Sequence, residues 1–254
     1  MSAITITFGD RAENHVGMQQ IGSLAERGFT YDDLLKFSEI FEIYPDTIAT
    51  IYNLKELAGL NDNPNVPNAY VLIIKGGVDA ILNDIGLSHE DLFSEQLGLP
   101  YDKKAFMRGR VVNKHARWNI CFSDFSQEPD YENKKGTVVN FDDVPITNHI
   151  KEMLENITKT KLQGEGNYYY DITSTGIGFH GDSERKKVIA VKLGEIIPLE
   201  YQYYYHGEPV GERIHLRSGE GDVYVMDEIA TGFNWKKRNI YTLRHAVGCK
   251  KYLK

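Results

Sequence analysis

The segment densest in reactive side chains is Asn167-Tyr-Tyr-Tyr-Asp-Ile-Thr-Ser-Thr-Gly-Ile-Gly-Phe-His180-Gly-Asp182-Ser-Glu184. A histidine and a carboxylate two residues apart at a strand end point to one face, so both can occupy adjacent positions on a single metal ion. His-x-Asp alone is a short pattern that surface turns also produce. Downstream, Arg238-Asn-Ile-Tyr-Thr-Leu-Arg244 sets two arginines six residues apart, and strand alternation brings such a pair to one face. Two guanidinium forks on one wall of a β-cavity are costly unless they meet carboxylates. A metal at one end and arginines deeper inside suit a dicarboxylate that chelates the metal, as in iron sites whose two-histidine, one-carboxylate face leaves positions open.

In order and spacing these residues resemble the AlkB-like iron(II) and 2-oxoglutarate dependent dioxygenases. The resemblance runs from Asn167-x-Tyr169 through His180-x-Asp182 to Arg238-x5-Arg244, which follows the run Gly221-Asp-Val-Tyr-Val-Met226, and it covers roughly residues 107–248. It implies that His180 and Asp182 hold Fe(II), and that Asn167, Tyr169, Arg238 and Arg244 bind 2-oxoglutarate as co-substrate. It also implies an oxidoreductase that hydroxylates or demethylates a methylated nucleobase, in single-stranded nucleic acid or as a nucleotide. Hydroxylation of a protein side chain or small metabolite is the alternative on the same scaffold, and a metal-free binding protein is the alternative of another class.

One departure bears on that choice. The family's second histidine falls between positions equivalent to Met226 and Arg238, where this chain reads Asp-Glu-Ile-Ala-Thr-Gly-Phe-Asn-Trp-Lys-Lys. The later His245 is the candidate third ligand, although alternation turns it away from the face of Arg244 unless a bulge intervenes. Asn234, Asp227 or a water are the other options.

The elements that would position this site fall into two regions. From about residue 106 to 254, β-branched and aromatic runs separated by Gly, Asp and Pro predict seven or so short strands, interrupted by one helix near 145–157. That pattern implies a sandwich or jelly roll, and the resemblance narrows it to a double-stranded β-helix oxygenase core. Residues 1–105 read as a mostly helical layer packed on the core, giving an α+β protein. Thr30 and Asp33 mark a helix start, residues 44–60 have helical spacing, 70–74 form a strand, and two short helices follow, the second capped by Ser88.

Composition limits the partners. The 254 residues carry a formal charge of −7, so the summed field repels polyanions. Locally, Arg108, Arg110, Lys114 and Arg117 with Trp118 could hold a phosphate and stack a base, and Glu13-Asn14-His15 could line a substrate entrance. Two cysteines form neither a disulfide framework nor a zinc spacing, which reads as a reducing intracellular compartment, cytoplasm or nucleus. No apolar run is long enough to span a bilayer, and the oligomeric state is left open.

Overall fold

A computed structural model describes residues 1–254. In chain order its elements are β1 (Ala3–Gly9), β2 (Arg11–Glu13), β3 (Gln20–Gly22), α1 (Tyr31–Phe41), β4 (Ile48–Asn53), α2 (Leu54–Leu57), β5 (Tyr70–Lys75), α3 (Gly77–Leu82) and α4 (His89–Leu97). There follow β6 (Lys104–Met107), β7 (Arg110–Asn113), β8 (Trp118–Ser123), β9 (Val138–Asn140), α5 (Pro145–Thr158), β10 (Gln163–Tyr169), β11 (Gly176–His180) and β12 (Val188–Gly194). The chain ends with β13 (Leu199–Tyr205), β14 (Glu208–Leu216), β15 (Val223–Met226), α6 (Glu228–Thr231) and β16 (Thr242–Gly248).

The fold is mixed α and β, in three layers. An eight-stranded sheet runs β4-β5-β15-β12-β1-β10-β8-β9, and a four-stranded sheet runs β11-β16-β13-β14. Side-chain alternation splits the large sheet's faces. Ile4, Ile6, Phe8, Ile189 and Val191 pack with Leu34 and Phe37 of α1, Ile81 of α3 and Ile150 of α5. Ala3, Val188, Ala190 and Tyr224 face the other way and pack with Leu199, Tyr201 and Leu243 of the small sheet. From β10 onward the chain passes back and forth: β10, β12 and β15 lie in the large sheet, while β11, β13, β14 and β16 lie in the small one.

The slot between β10 and β12 is filled by β1, antiparallel to both, with Thr5 opposite Asn167 on one side and Lys192 on the other. Ile4, Ile6 and Phe8 are fully buried, each worth roughly 1.5–3 kcal/mol by burial. The expected mostly helical layer over 1–105, packed on a core over 106–254, describes only part of the arrangement. Residues 1–105 supply α1, α3 and α4 to the outer layer, but also β1, β4 and β5 to the sheet itself. The helical spacing read over 44–60 is overridden at Ile48–Asn53, where β-branched side chains pair with β5, Ile51 opposite Leu72. Helix starts were legible: Thr30 and Asp33 form a reciprocal capping box, as do Ser88 and Asp91. No helix is long and apolar enough to cross a membrane.

Candidate metal centre

His180 closes β11, Asp182 stands two residues beyond it, and His245 lies in β16, the strand paired with β11. His180 and His245 are direct cross-strand partners with ring centroids 4.5 Å apart. Asp182 Oδ1 lies 3.7 Å from His180 Nε2 and 3.6 Å from His245 Nε2. Two metal–ligand bonds of about 2.1 Å place their donor atoms at most about 4.2 Å apart, so both spacings fit one ion. The His180 Nδ1–H donates to the Gly178 carbonyl at 2.8 Å, which turns the Nε2 lone pair toward Asp182. The turn carrying Asp182 is pinned by its backbone N–H donating to the Thr231 carbonyl of α6 at 2.9 Å.

A bulge creates the convergence. Ile177 pairs with Val247 and His180 with His245, so three steps along β11 match two along β16. The extra residue puts Ile177 and His180 on the same face despite their odd separation. On β16 alternation is regular, and His245 and Arg244 face opposite ways as expected. The sequence expectation placed both at the site, Arg244 by alternation and His245 through a bulge, and the structure brings only one of them there. His245 faces the space between the sheets, while Arg244 lies on the outer face with its guanidinium 3.9 Å from the Tyr204 ring centroid and 5.3 Å from that of Trp235. Arg238 precedes the strand, is exposed, and donates to the His206 carbonyl. Neither arginine lines the cavity beside the triad, so the structure does not place the expected arginine pair there.

That cavity measures about 460 Å³ and lies between the sheets, with His180, Asp182 and His245 in its wall. Asn167 and Tyr169 of β10 line it, as do Thr5 and Thr7 of β1. Glu13, His15 and Arg117 lie at its wall as well, and Trp235 and Lys236 reach it from the segment between α6 and β16. Asn234, another option for the third ligand, is exposed. Asp227 instead caps α6, its Oδ1 accepting from the Ala230 N–H at 2.7 Å.

No protein-family model matches the chain. An uncharacterized protein of Acanthamoeba polyphaga mimivirus is 48% identical to it over 255 residues, spanning 99% of this chain and 97% of that protein. The chain belongs to the family of that mimivirus protein.

In this member of the mimivirus-protein family the triad is electrostatically suited to a cation. Burial and the neighbouring His245 hold the His180 imidazole down to about 4, so it is neutral near pH 7. Burial alone would raise Asp182, but hydrogen bonding to His245 and the charge of Arg185 help to outweigh it, leaving its carboxyl well below the usual range. Arg185 is buried beneath the triad, 3.8 Å from Asp182 Oδ2 and 3.0 Å from Glu184, and it also donates to Glu165. Burial, followed by the Asp182 charge, pushes Glu184 up to about 7.

Sequence reasoning singled out none of Glu165, Arg185, Lys192, Thr5 or Thr7. Alternation along β10 and β12 could have flagged Glu165 and Lys192 as polar residues on otherwise core-facing strand positions, but nothing local ties β1 to them. The basic run around Arg117 divides in three dimensions. Arg108 and Arg110 belong to the exposed β6–β7 hairpin, whereas Lys114 is buried, donating to Asn14 Oδ1 and Asn119 Oδ1. Trp118 stacks on Tyr170 at 4.3 Å. Asp79, His89 and Glu90 form a second cluster, in which Asp79 already accepts from the backbone N–H and ring of His89 at the start of α4.

Proposed function

We propose that this chain is an iron(II) and 2-oxoglutarate dependent oxygenase on a jelly-roll scaffold whose eighth strand is supplied by the N-terminus. Seven strands wind from β10 to β16 between two facing sheets, and β1 occupies the remaining place between β10 and β12, which suits a double-sheet jelly roll. The observation that carries the chemistry is the convergence of His180, Asp182 and His245. Two imidazoles and one carboxylate on one side of a cavity leave the opposite side open for co-substrate and oxygen, the arrangement of facial-triad iron sites.

Iron held there would supply the oxygen activation needed to oxidise a C–H bond. The chain's own residues do the rest. The Gly178 carbonyl fixes the tautomer of His180. Arg185 keeps Asp182 ionised and in place. Asn167, held by the Asn119 side-chain N–H at 2.7 Å and by Arg117, presents a fixed polar edge to the cavity. A volume of about 460 Å³ lies within the roughly 300–1,000 Å³ of small-molecule sites. Trp235 offers a flat apolar wall and Arg117 and Lys236 offer charge, features that support a nucleotide-borne methyl group as the substrate, presented in a single strand or free nucleotide.

The test is an anaerobic titration of metal-free protein with iron(II) and 2-oxoglutarate, followed by visible absorption. A weak charge-transfer band that needs both components is expected. Absence of both the band and stoichiometric iron binding would leave a binding protein on this scaffold.

A further inference from the structure

Four cationic side chains line the cavity: Arg117, Arg185, Lys192 and Lys236. Three are accounted for. Arg185 is neutralised by Glu165, Glu184 and Asp182. Arg117 donates to Asn167 and is only partly buried, and Lys236 is exposed. Lys192 differs from all of them. It is 5% exposed and no acidic oxygen lies within ion-pair distance; its one hydrogen bond is to Thr5 Oγ1, at 3.3 Å, and the Tyr224 ring centroid lies 5.9 Å from its ammonium. The acid with most influence on it, Asp222, has its carboxylate oxygens engaged by the backbone N–H groups of Gly76 and Gly219, at 3.2 and 2.6 Å. A buried ammonium with two of its three protons unused is costly unless an anion arrives to take them.

Register places this group. Asn167, Thr5 and Lys192 stand side by side on β10, β1 and β12, one polar row across the large sheet, while His180 and His245 sit on the small sheet and Asp182 in the turn after β11, lining the same cavity. We infer that Lys192, with the Thr5 hydroxyl beside it, is the anchor for the outer carboxylate of a dicarboxylate whose other end reaches the metal. This rests on the oxygenase reading and moves the anion site from the arginine-bearing C-terminal segment to a lysine and the N-terminal strand. Ile177, Leu199 and Val247 line the same cavity, and an apolar setting of this kind strengthens a charge-assisted bond.

The experiment is calorimetric titration of the Mn(II)-loaded full chain and its Lys192→Met variant with 2-oxoglutarate, pyruvate and glutarate. Pyruvate keeps the chelating keto acid and lacks the outer carboxylate; glutarate has two carboxylates and no keto group. Wild type is expected to bind 2-oxoglutarate more tightly than pyruvate. Lys192→Met should weaken 2-oxoglutarate by roughly 10- to 100-fold, leaving pyruvate and Mn(II) binding unchanged. Thr5→Val is expected to give a smaller loss in the same direction. Methionine is apolar and of similar length, and a melting curve confirms that the variant is folded. If Lys192→Met keeps the preference for 2-oxoglutarate, the anchor is overturned and the oxygenase reading stands. If glutarate binds as well as 2-oxoglutarate and needs Lys192, the anion site stands and the oxygenase reading fails. Binding of none of the three overturns both.

Discussion

The Asp182 carboxylate lies 3.6 Å from the His245 ring and 3.7 Å from that of His180, so a strand late in the chain completes a site begun by a neighbouring turn. The two histidines face each other because β11 and β16 pair with a one-residue bulge. Without that bulge His180 would turn to the other face and the triad could not form.

Replacing any one of His180, Asp182 or His245 with alanine is expected to reduce Fe(II) affinity by more than the roughly 10- to 100-fold typical of losing a supporting partner. Asn234→Ala is expected to leave it unchanged. Competition with a chromogenic chelator measures both. Retention of full affinity in His245→Ala would remove it from the site.

Arg185→Met leaves Glu165 and Glu184 without their cation in a buried place. Breaking a buried pair from one side costs about 3–5 kcal/mol, so urea unfolding should show a loss of that order. A change below about 1 kcal/mol would mean that the cluster is hydrated and structurally minor.

Arg238→Ala and Arg244→Ala both test the displaced arginines. Neither should change 2-oxoglutarate affinity, since neither lines the cavity. Arg244→Ala should nonetheless lower stability by roughly 1 kcal/mol through the lost stacking on Tyr204 and Trp235. A selective loss of 2-oxoglutarate binding in either variant would put the arginine back into the site.

Asp227 carries a pH dependence whose sign is fixed by burial. Its carboxyl is pushed up to about 7 in the folded chain, against about 3.9 when unfolded. Between those values the folded state keeps a proton that the unfolded state has released, so stability falls as pH rises through this window. Asp227→Asn keeps an oxygen for the cap of α6 and has nothing to ionise. Relative to wild type it should gain on the order of 2–4 kcal/mol between pH 4 and 8, read from melting curves at each pH. Parallel curves for the two proteins would contradict a raised Asp227.

Some of this was legible in the residues themselves. Capping chemistry is local, so Thr30-x-x-Asp33 and Ser88 announced two helices that the structure contains. The strands Val188–Gly194 and Leu199–Tyr205 followed from β-branched and aromatic runs. His180-x-Asp182 was visible for the same reason, since both side chains need only one turn of backbone to meet. Even the opposite facing of Arg244 and His245 came from alternation alone.

What the sequence by itself determined, then, was two capped helices, many of the later strands, the His-x-Asp pair and the parity along each strand, because these depend on residues within a few positions of one another. Tertiary structure decided which face of β16 turns inward, and so whether His245 or Arg244 serves the cavity. It also brought β1 between β10 and β12 and set Thr5 beside Lys192, 187 positions away. The physical reason is that pairing between distant strands is chosen by the burial of whole faces, a property of the assembled sheets and not of any local spacing.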